Sequence, residues 1–91
     1  TDFNPGSAPC GNMGFAISLA CIKLKLTPEE AINSATINGA HAMGISKTHG
    51  SITVGKKANF ILTNSINELS ELPYYLFENQ IDSVFINGKI N

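Results

Sequence analysis

The densest chemistry in the chain lies at its start, where Asp2, Asn4, Gly6 and Ser7 fall within six residues. They bring a carboxylate, an amide, a hydroxyl and free backbone N–H groups into one short run that leads towards a helix. Such a loop suits a metal held by Asp2 and a polar or anionic substrate held by Asn4, Gly6 and Ser7. The same composition also makes an Asx-type turn, in which these side chains satisfy their own backbone. A catalytic zinc site takes three protein ligands, and this segment offers one. The histidines do not complete a set by spacing. His41 sits in a helix-forming stretch and His49 in a turn before Gly50, with no H-x-H, H-x-x-H or H-E-x-x-H pattern. Both read as structural or solvated. Cys10 and Cys21 are not a C-x-x-C pair; Cys21 reads as a small apolar core residue and Cys10 as a loop residue. Nothing fixes a partner near Ser7 for a Ser–His–Asp arrangement, so the catalytic residues stay unassigned.

The elements that must position this loop are legible in the pattern that follows. Gly, Pro and Asn crowd residues 2–14, which marks a loop. Residues 15–26 are nearly all apolar, with Lys23 and Lys25 the only charges, and predict a helix buried nearly all round. Thr27-Pro28-Glu29-Glu30 is a capping box with proline at the first helical position and two carboxylates at the positive end of the helix dipole. That helix is expected to run to about Met43, with Gly44 ending it in a left-handed conformation. Ala31, Ala35, Gly39 and Ala42 give it a small-residue face that another backbone can approach closely. Residues 51–54 and 58–62 read as strands joined by Gly55-Lys56-Lys57, a solvated turn. Ser83-Val84-Phe85-Ile86 and Lys89-Ile90 flank Asn87-Gly88, a strong two-residue hairpin signal. Residues 64–71 read as polar loop and residues 73–77 as a short helical turn, with Tyr74-Tyr75 serving packing.

Composition narrows the function classes. The 91 residues carry six Lys, no Arg and seven acids, for a net charge of -1. This balance lacks the basic footprint of a nucleic-acid binder. No apolar run approaches the ~18 residues of a membrane span, and no signal peptide opens the chain. Two cysteines exclude a disulfide scaffold and fit a reducing, cytoplasmic setting. Only 14% of residues are charged, against about 25% in ordinary globular domains. With Thr1 rather than Met at the start, the low charge predicts a piece of a longer chain whose faces are buried against missing partners.

A resemblance covers nearly the whole chain. Thr27-Pro28-Glu29-Glu30-Ala31-Ile32, Ala35-Thr36-Ile37-Asn38-Gly39-Ala40 and Ala42-Met43-Gly44 resemble the penultimate helical region of the amidohydrolase superfamily. The run from Gly50 through Gly55-Lys56-Lys57-Ala58-Asn59 to Leu62 resembles the return of those enzymes into a small C-terminal β-domain. Val84-Phe85-Ile86-Asn87-Gly88-Lys89 resembles their final hairpin. The opening, Thr1-Asp2-Phe3-Asn4-Pro5-Gly6-Ser7 with Gly11-Asn12-Met13, resembles the imidazolonepropionase family within that superfamily.

The resemblance implies an α/β fold: the C-terminal fragment of a metal-dependent (β/α)8-barrel, two helices followed by short strands of a small composite β-domain. Residues 1–48 would hold the end of the last barrel strand, the substrate loop and the terminal helices. Residues 49–91 would be the C-terminal part of the β-domain. The implied parent reaction is hydrolysis of 4-imidazolone-5-propanoate to N-formimidoyl-L-glutamate in histidine degradation. Asp2 would ligate one zinc or iron ion, and Asn4, Gly6 and Ser7 would contact the small-molecule substrate. Active sites of such barrels lie at the C-terminal ends of strands. The other metal ligands, the acid–base groups and the substrate-binding Arg belong to sequence outside this chain. The chain alone is therefore expected to be inactive, not to retain the metal, and to self-associate. The alternatives are another cyclic-amide or amidine amidohydrolase, dihydroorotase or guanine deaminase-like, and a non-catalytic structural or interaction module.

Overall fold

In a computed structural model, which describes residues 1–7, 10–74 and 80–91, the chain forms a helical layer followed by a small antiparallel sheet. Helix α1 (Met13–Lys23) begins two residues before the apolar run because Asn12 caps it: the Asn12 side-chain oxygen accepts from the Phe15 N–H at 3.1 Å. It ends at Lys23, short of the expected Leu26, where Lys25 takes a positive φ of 58°. Helix α2 (Pro28–Ala35) starts on the full capping box. Thr27 Oγ1 accepts from the Glu30 N–H, and a Glu30 carboxylate oxygen accepts from the Thr27 N–H at 3.0 Å.

The single helix expected over residues 28–43 is two. It breaks at Thr36 (φ -119°, ψ -91°), and α3 (Ile37–Ala42) begins directly after it. The cause is local. Ser34 Oγ and Thr36 Oγ1 each donate to the carbonyl four residues back, a competition with the helix ladder that bends helices. Gly50 then packs into the break: a Cβ at that position would stand 2.6 Å from Ala40 Cβ and 3.1 Å from Ile37 Cα. The break also shifts the phase of the small-residue face. Ala31 and Ala40 are buried, whereas Ala42 is exposed, so Ala40 takes the place expected of Ala42. Gly44 ends α3 at φ 75°, as the sequence predicts.

Strand β1 (Phe60–Thr63) pairs antiparallel with β2 (Ile81–Ile86), and β2 with β3 (Lys89–Ile90), giving the order β1-β2-β3. The Phe60↔Phe85 pair stacks its rings with centroids 4.7 Å apart. Asn87 (φ 53°) and Gly88 (φ 78°) make the expected tight turn, the positive φ at both positions being what a type I′ hairpin needs. The strand expected over residues 51–54 is absent. The Lys56 N–H closes a turn on the Thr53 carbonyl, Ser51 and Thr53 hydroxyls lie 2.9 Å apart, and Gly55 takes φ 95°. No described strand runs beside this stretch to satisfy a ladder, and Ile52 and Val54 point into solvent. Lys56 is not simply solvated. Half-buried, it donates to Ser51 Oγ at 2.8 Å and to the His49 carbonyl, tying the loop together.

A short helix, α4 (Glu71–Tyr74), follows the polar loop, with a Glu71 carboxylate oxygen accepting from the Glu68 N–H at 2.9 Å. The remainder of the expected turn over residues 73–77, including Tyr75, lies outside the described residues. Tyr74 is exposed rather than packed inside. The core sits where α1 meets α2 and α4, around Ile17, Ser18, Ala31 and Leu72; Ser18 Oγ donates to the Pro73 carbonyl at 2.5 Å. The expectation that α1 is buried nearly all round does not hold within this chain, because Phe15, Leu19 and Ile22 are exposed. Among the described residues no helix is long and apolar enough to cross a membrane.

Candidate functional site

The opening loop is built from its own side chains. Gly6 N–H donates to Asn4 Oδ1 at 2.8 Å and Ser7 N–H to the Asn4 carbonyl at 3.2 Å, so the amide of Asn4 closes an Asx turn. A Cβ at position 6 would stand 3.3 Å from Asn4 Oδ1, which is why glycine suits this close approach. Asp2 precedes the turn at φ 51°, an uncommon conformation that aspartate tolerates better than most residues. Residues 1–7 are all exposed. The turn feeds the Asn12-capped start of α1, where a cavity of about 230 Å³ is lined by Thr1, Ser7, Cys10, Asn12, Phe15, Ala16 and Leu19. Of the sequence-predicted site residues, Ser7 therefore lines a cavity with the helix start. Asp2, Asn4 and Gly6 do not line it.

The histidines stand elsewhere. His41 is exposed on α3, and His49 lies in the turn before Gly50, its Nδ1 2.7 Å from Thr48 Oγ1. His49 faces a separate groove of about 530 Å³ between α2, α3 and β1 that does not include Asp2. Cys10 is exposed and Cys21 half-buried, both as free thiols. Among the described residues, no three His, Cys, Asp or Glu side chains gather so as to hold a metal ion. A lone exposed carboxylate does not make such a site, so the donor set present does not fit a resident metal on its own. Among the described residues, the carboxyl held off its ordinary value lies at a structural position: Glu30 is held below it, chiefly by the Thr27 backbone N–H and then by the Thr27 hydroxyl.

Two positioning residues escape a reading by motif. Asn12 is legible after the fact as an N-cap, a side-chain acceptor just before an apolar run. Ser18 carries no such signal, since an isolated serine in an apolar helix looks the same whether it faces solvent or a buried carbonyl.

Comparison with known proteins agrees over almost the full length. The amidohydrolase family model matches residues 4–91. The imidazolonepropionase of Christiangramia forsetii is 66% identical over 90 residues, covering 99% of this chain. Those of Flavobacterium johnsoniae and Flavobacterium psychrophilum are 62% and 61% identical over the same span. Among solved structures, Escherichia coli guanine deaminase superposes with a TM-score of 0.75 at 21% identity, covering 94% of this chain and 25% of that one, and so shares its fold. The chain spans only about 22% of the length of these three curated relatives. By the family model and the level of identity, the chain belongs to the amidohydrolase family.

Proposed function

We propose that this chain is the C-terminal part of an imidazolonepropionase, whose complete form hydrolyses the ring of 4-imidazolone-5-propanoate to N-formimidoyl-L-glutamate. The observation that carries the reading is identity of 61–66% over 99% of the chain to enzymes of that name. The likeness to guanine deaminase supports the fold and does not favour a deaminase. On this reading, residues 1–48 supply the end of the eighth strand of a (β/α)8-barrel, the substrate loop and the terminal helices, and residues 49–91 the last part of the small β-domain.

Amidohydrolases generally depend on a metal. Asp2 is the residue assigned as a ligand to zinc or iron, and its partners would come from outside these 91 residues. Asn4, Gly6 and Ser7 are assigned to the substrate. The turn they form supports that role in one respect: it is already closed, so its polar groups are held in place before any ligand arrives. Asn4 Oδ1 is engaged by the Gly6 N–H, and its second lone pair and its NH₂ stay available to a ligand. The complete enzyme would act in the cytoplasm on this small molecule. The isolated chain is inactive and self-associates through its exposed apolar side chains.

The direct test is a chimera in which this chain replaces the matching segment of the Christiangramia forsetii enzyme. Hydrolysis of 4-imidazolone-5-propanoate is expected from the chimera and not from the 91-residue chain. Loss of bound metal and of turnover is expected on Asp2→Asn in the chimera. A chimera that folds, binds metal and leaves this ring intact would sink the reading.

A further inference from the structure

Two Asn-Gly steps, Asn38-Gly39 and Asn87-Gly88, carry a chemistry that ring hydrolysis does not use. In such a step the glycine backbone nitrogen can attack the asparagine Cγ, because glycine has no Cβ to hinder the approach. The nitrogen gives its proton to solvent base, and the new N–Cγ bond closes a succinimide ring. The Cγ–Nδ2 bond breaks, and the side-chain nitrogen leaves as ammonia. Water then opens the ring at either carbonyl, giving aspartate or isoaspartate. The reaction takes up one water, releases one ammonia and needs no oxidant or cofactor. It has two structural requirements: a glycine N–H that is not engaged, and a backbone that can leave its regular conformation.

Both asparagines are exposed, so exposure does not separate the two steps. Hydrogen bonding does. The Gly88 N–H donates to the Ala58 carbonyl at 2.8 Å, and the Asn87 N–H donates to Asn59 Oδ1 at 2.9 Å. These bonds tie the hairpin turn to the residues before β1, while β3 holds it against β2. Attack on Asn87 therefore requires the nucleophile to be pulled from its acceptor and the turn to open. Gly39 is placed differently. Its N–H has no acceptor among the described residues, as is usual in the first turn of an α-helix. The helix that holds it, α3, has six residues and begins at the Thr36 break with no side-chain cap. So short a helix draws little stability from its own ladder, and its first turn opens more cheaply than a paired hairpin.

We propose that Asn38 is a site of spontaneous deamidation in the folded chain, through attack by the Gly39 nitrogen, and that Asn87 is held out of the same reaction by its hydrogen bonds. Aspartate at position 38 leaves the backbone length unchanged. Isoaspartate adds a methylene to the main chain beside Ile37, against which Gly50 packs, and so disturbs the bend between α2 and α3.

Peptide mapping by mass spectrometry of the 91-residue chain, incubated at mildly alkaline pH, tests this directly. Conversion at Asn38 is expected to be at least about tenfold faster than at Asn87 in the folded chain, since local opening sets the rate. In concentrated urea the two rates are expected to agree within about threefold, because neither hydrogen bonding nor helix then distinguishes them. Gly39→Ala is expected to suppress conversion at Asn38 and leave Asn87 unchanged. Asn59→Ala, which frees the Asn87 N–H, is expected to raise conversion at Asn87 several-fold and leave Asn38 unchanged. Equal rates at the two asparagines in the folded chain overturn the proposal, as does faster conversion at Asn87. A difference that persists undiminished in urea also overturns it, because the cause is then local sequence rather than the fold. An Asn59→Ala chain in which Asn87 stays as slow as before removes the protective role given to the turn.

Discussion

Helix α2 opens on a capping box and turns Glu29, Asn33 and Ser34 outward, whereas α1, packed against it, turns Phe15, Leu19 and Ile22 outward. Both bury a side against the same small core, and both carry a side-chain cap. The difference lies in what each asks of its surroundings. The polar outer face and reciprocal cap of α2 satisfy it within 91 residues. α1 is sequence-encoded for burial on more sides than this chain covers, which is how a segment of a larger domain differs from a self-contained one. The opening loop that holds Asp2 leads into the less complete of the two helices.

The comparison breaks most sharply at two isoleucines of one helix. Ile17 is 7% exposed and Ile22 is 66% exposed. Ile17→Ala should cost about 3 kcal/mol in urea denaturation of this chain, the usual cost of emptying a core site. Ile22→Ala should stay within about 0.5 kcal/mol there. Equal costs at the two positions would mean that α1 is covered on its outer side within this chain. Next in size is Gly50→Ala. The new Cβ would meet Ala40 Cβ at 2.6 Å, and the backbone there has φ 95°. A loss of about 2 kcal/mol is expected from overpacking and strain together, checked by thermal melting. A neutral result would show that the break at Thr36 is not held by Gly50.

The outcome at each position shows what a sequence carries and what it leaves to context. The Thr27 cap, the Gly44 stop and the Asn87-Gly88 hairpin were legible because each is a bargain among residues a few positions apart. The break at Thr36 was not, since it needs two hydroxyls competing with the ladder and a glycine fourteen residues downstream to fill the bend. The strand expected over residues 51–54 has the composition of a strand, but a strand is completed by a neighbour, and no described one runs beside it. The opening loop shows the same division. Its turn chemistry could be read from Asn4, Pro5 and Gly6, and the structure shows Asn4 closing that turn. Its assignment to metal and substrate came from resemblance, because among the described residues no three His, Cys, Asp or Glu side chains gather so as to hold a metal ion.

Two smaller effects sharpen the self-contained side of the comparison. Thr27→Ala removes the acceptor for the Glu30 N–H and should cost about 1 kcal/mol. Its helicity loss should be confined to α2, seen as faster amide exchange over residues 28–35 with α1 unchanged. The pH response of Glu30 tests the other half of the box. Its carboxyl titrates below its ordinary value of 4.5, because the charged form accepts from the Thr27 N–H and hydroxyl. The folded chain therefore binds fewer protons at Glu30 than the unfolded chain does near that pH. The resulting stabilisation is complete above the ordinary value and is lost as pH falls through the lower folded value. Glu30→Gln keeps an amide oxygen for the Thr27 N–H but cannot titrate, so its stability curve should lack this step. The quantity to measure is the difference between wild type and Glu30→Gln in urea midpoint between pH 6 and pH 3, which cancels the other carboxylates. A difference that shrinks with acidification supports the reciprocal cap. A difference constant across that range would mean that the Glu30 carboxylate is free in solution and that α2 is held by Thr27 alone.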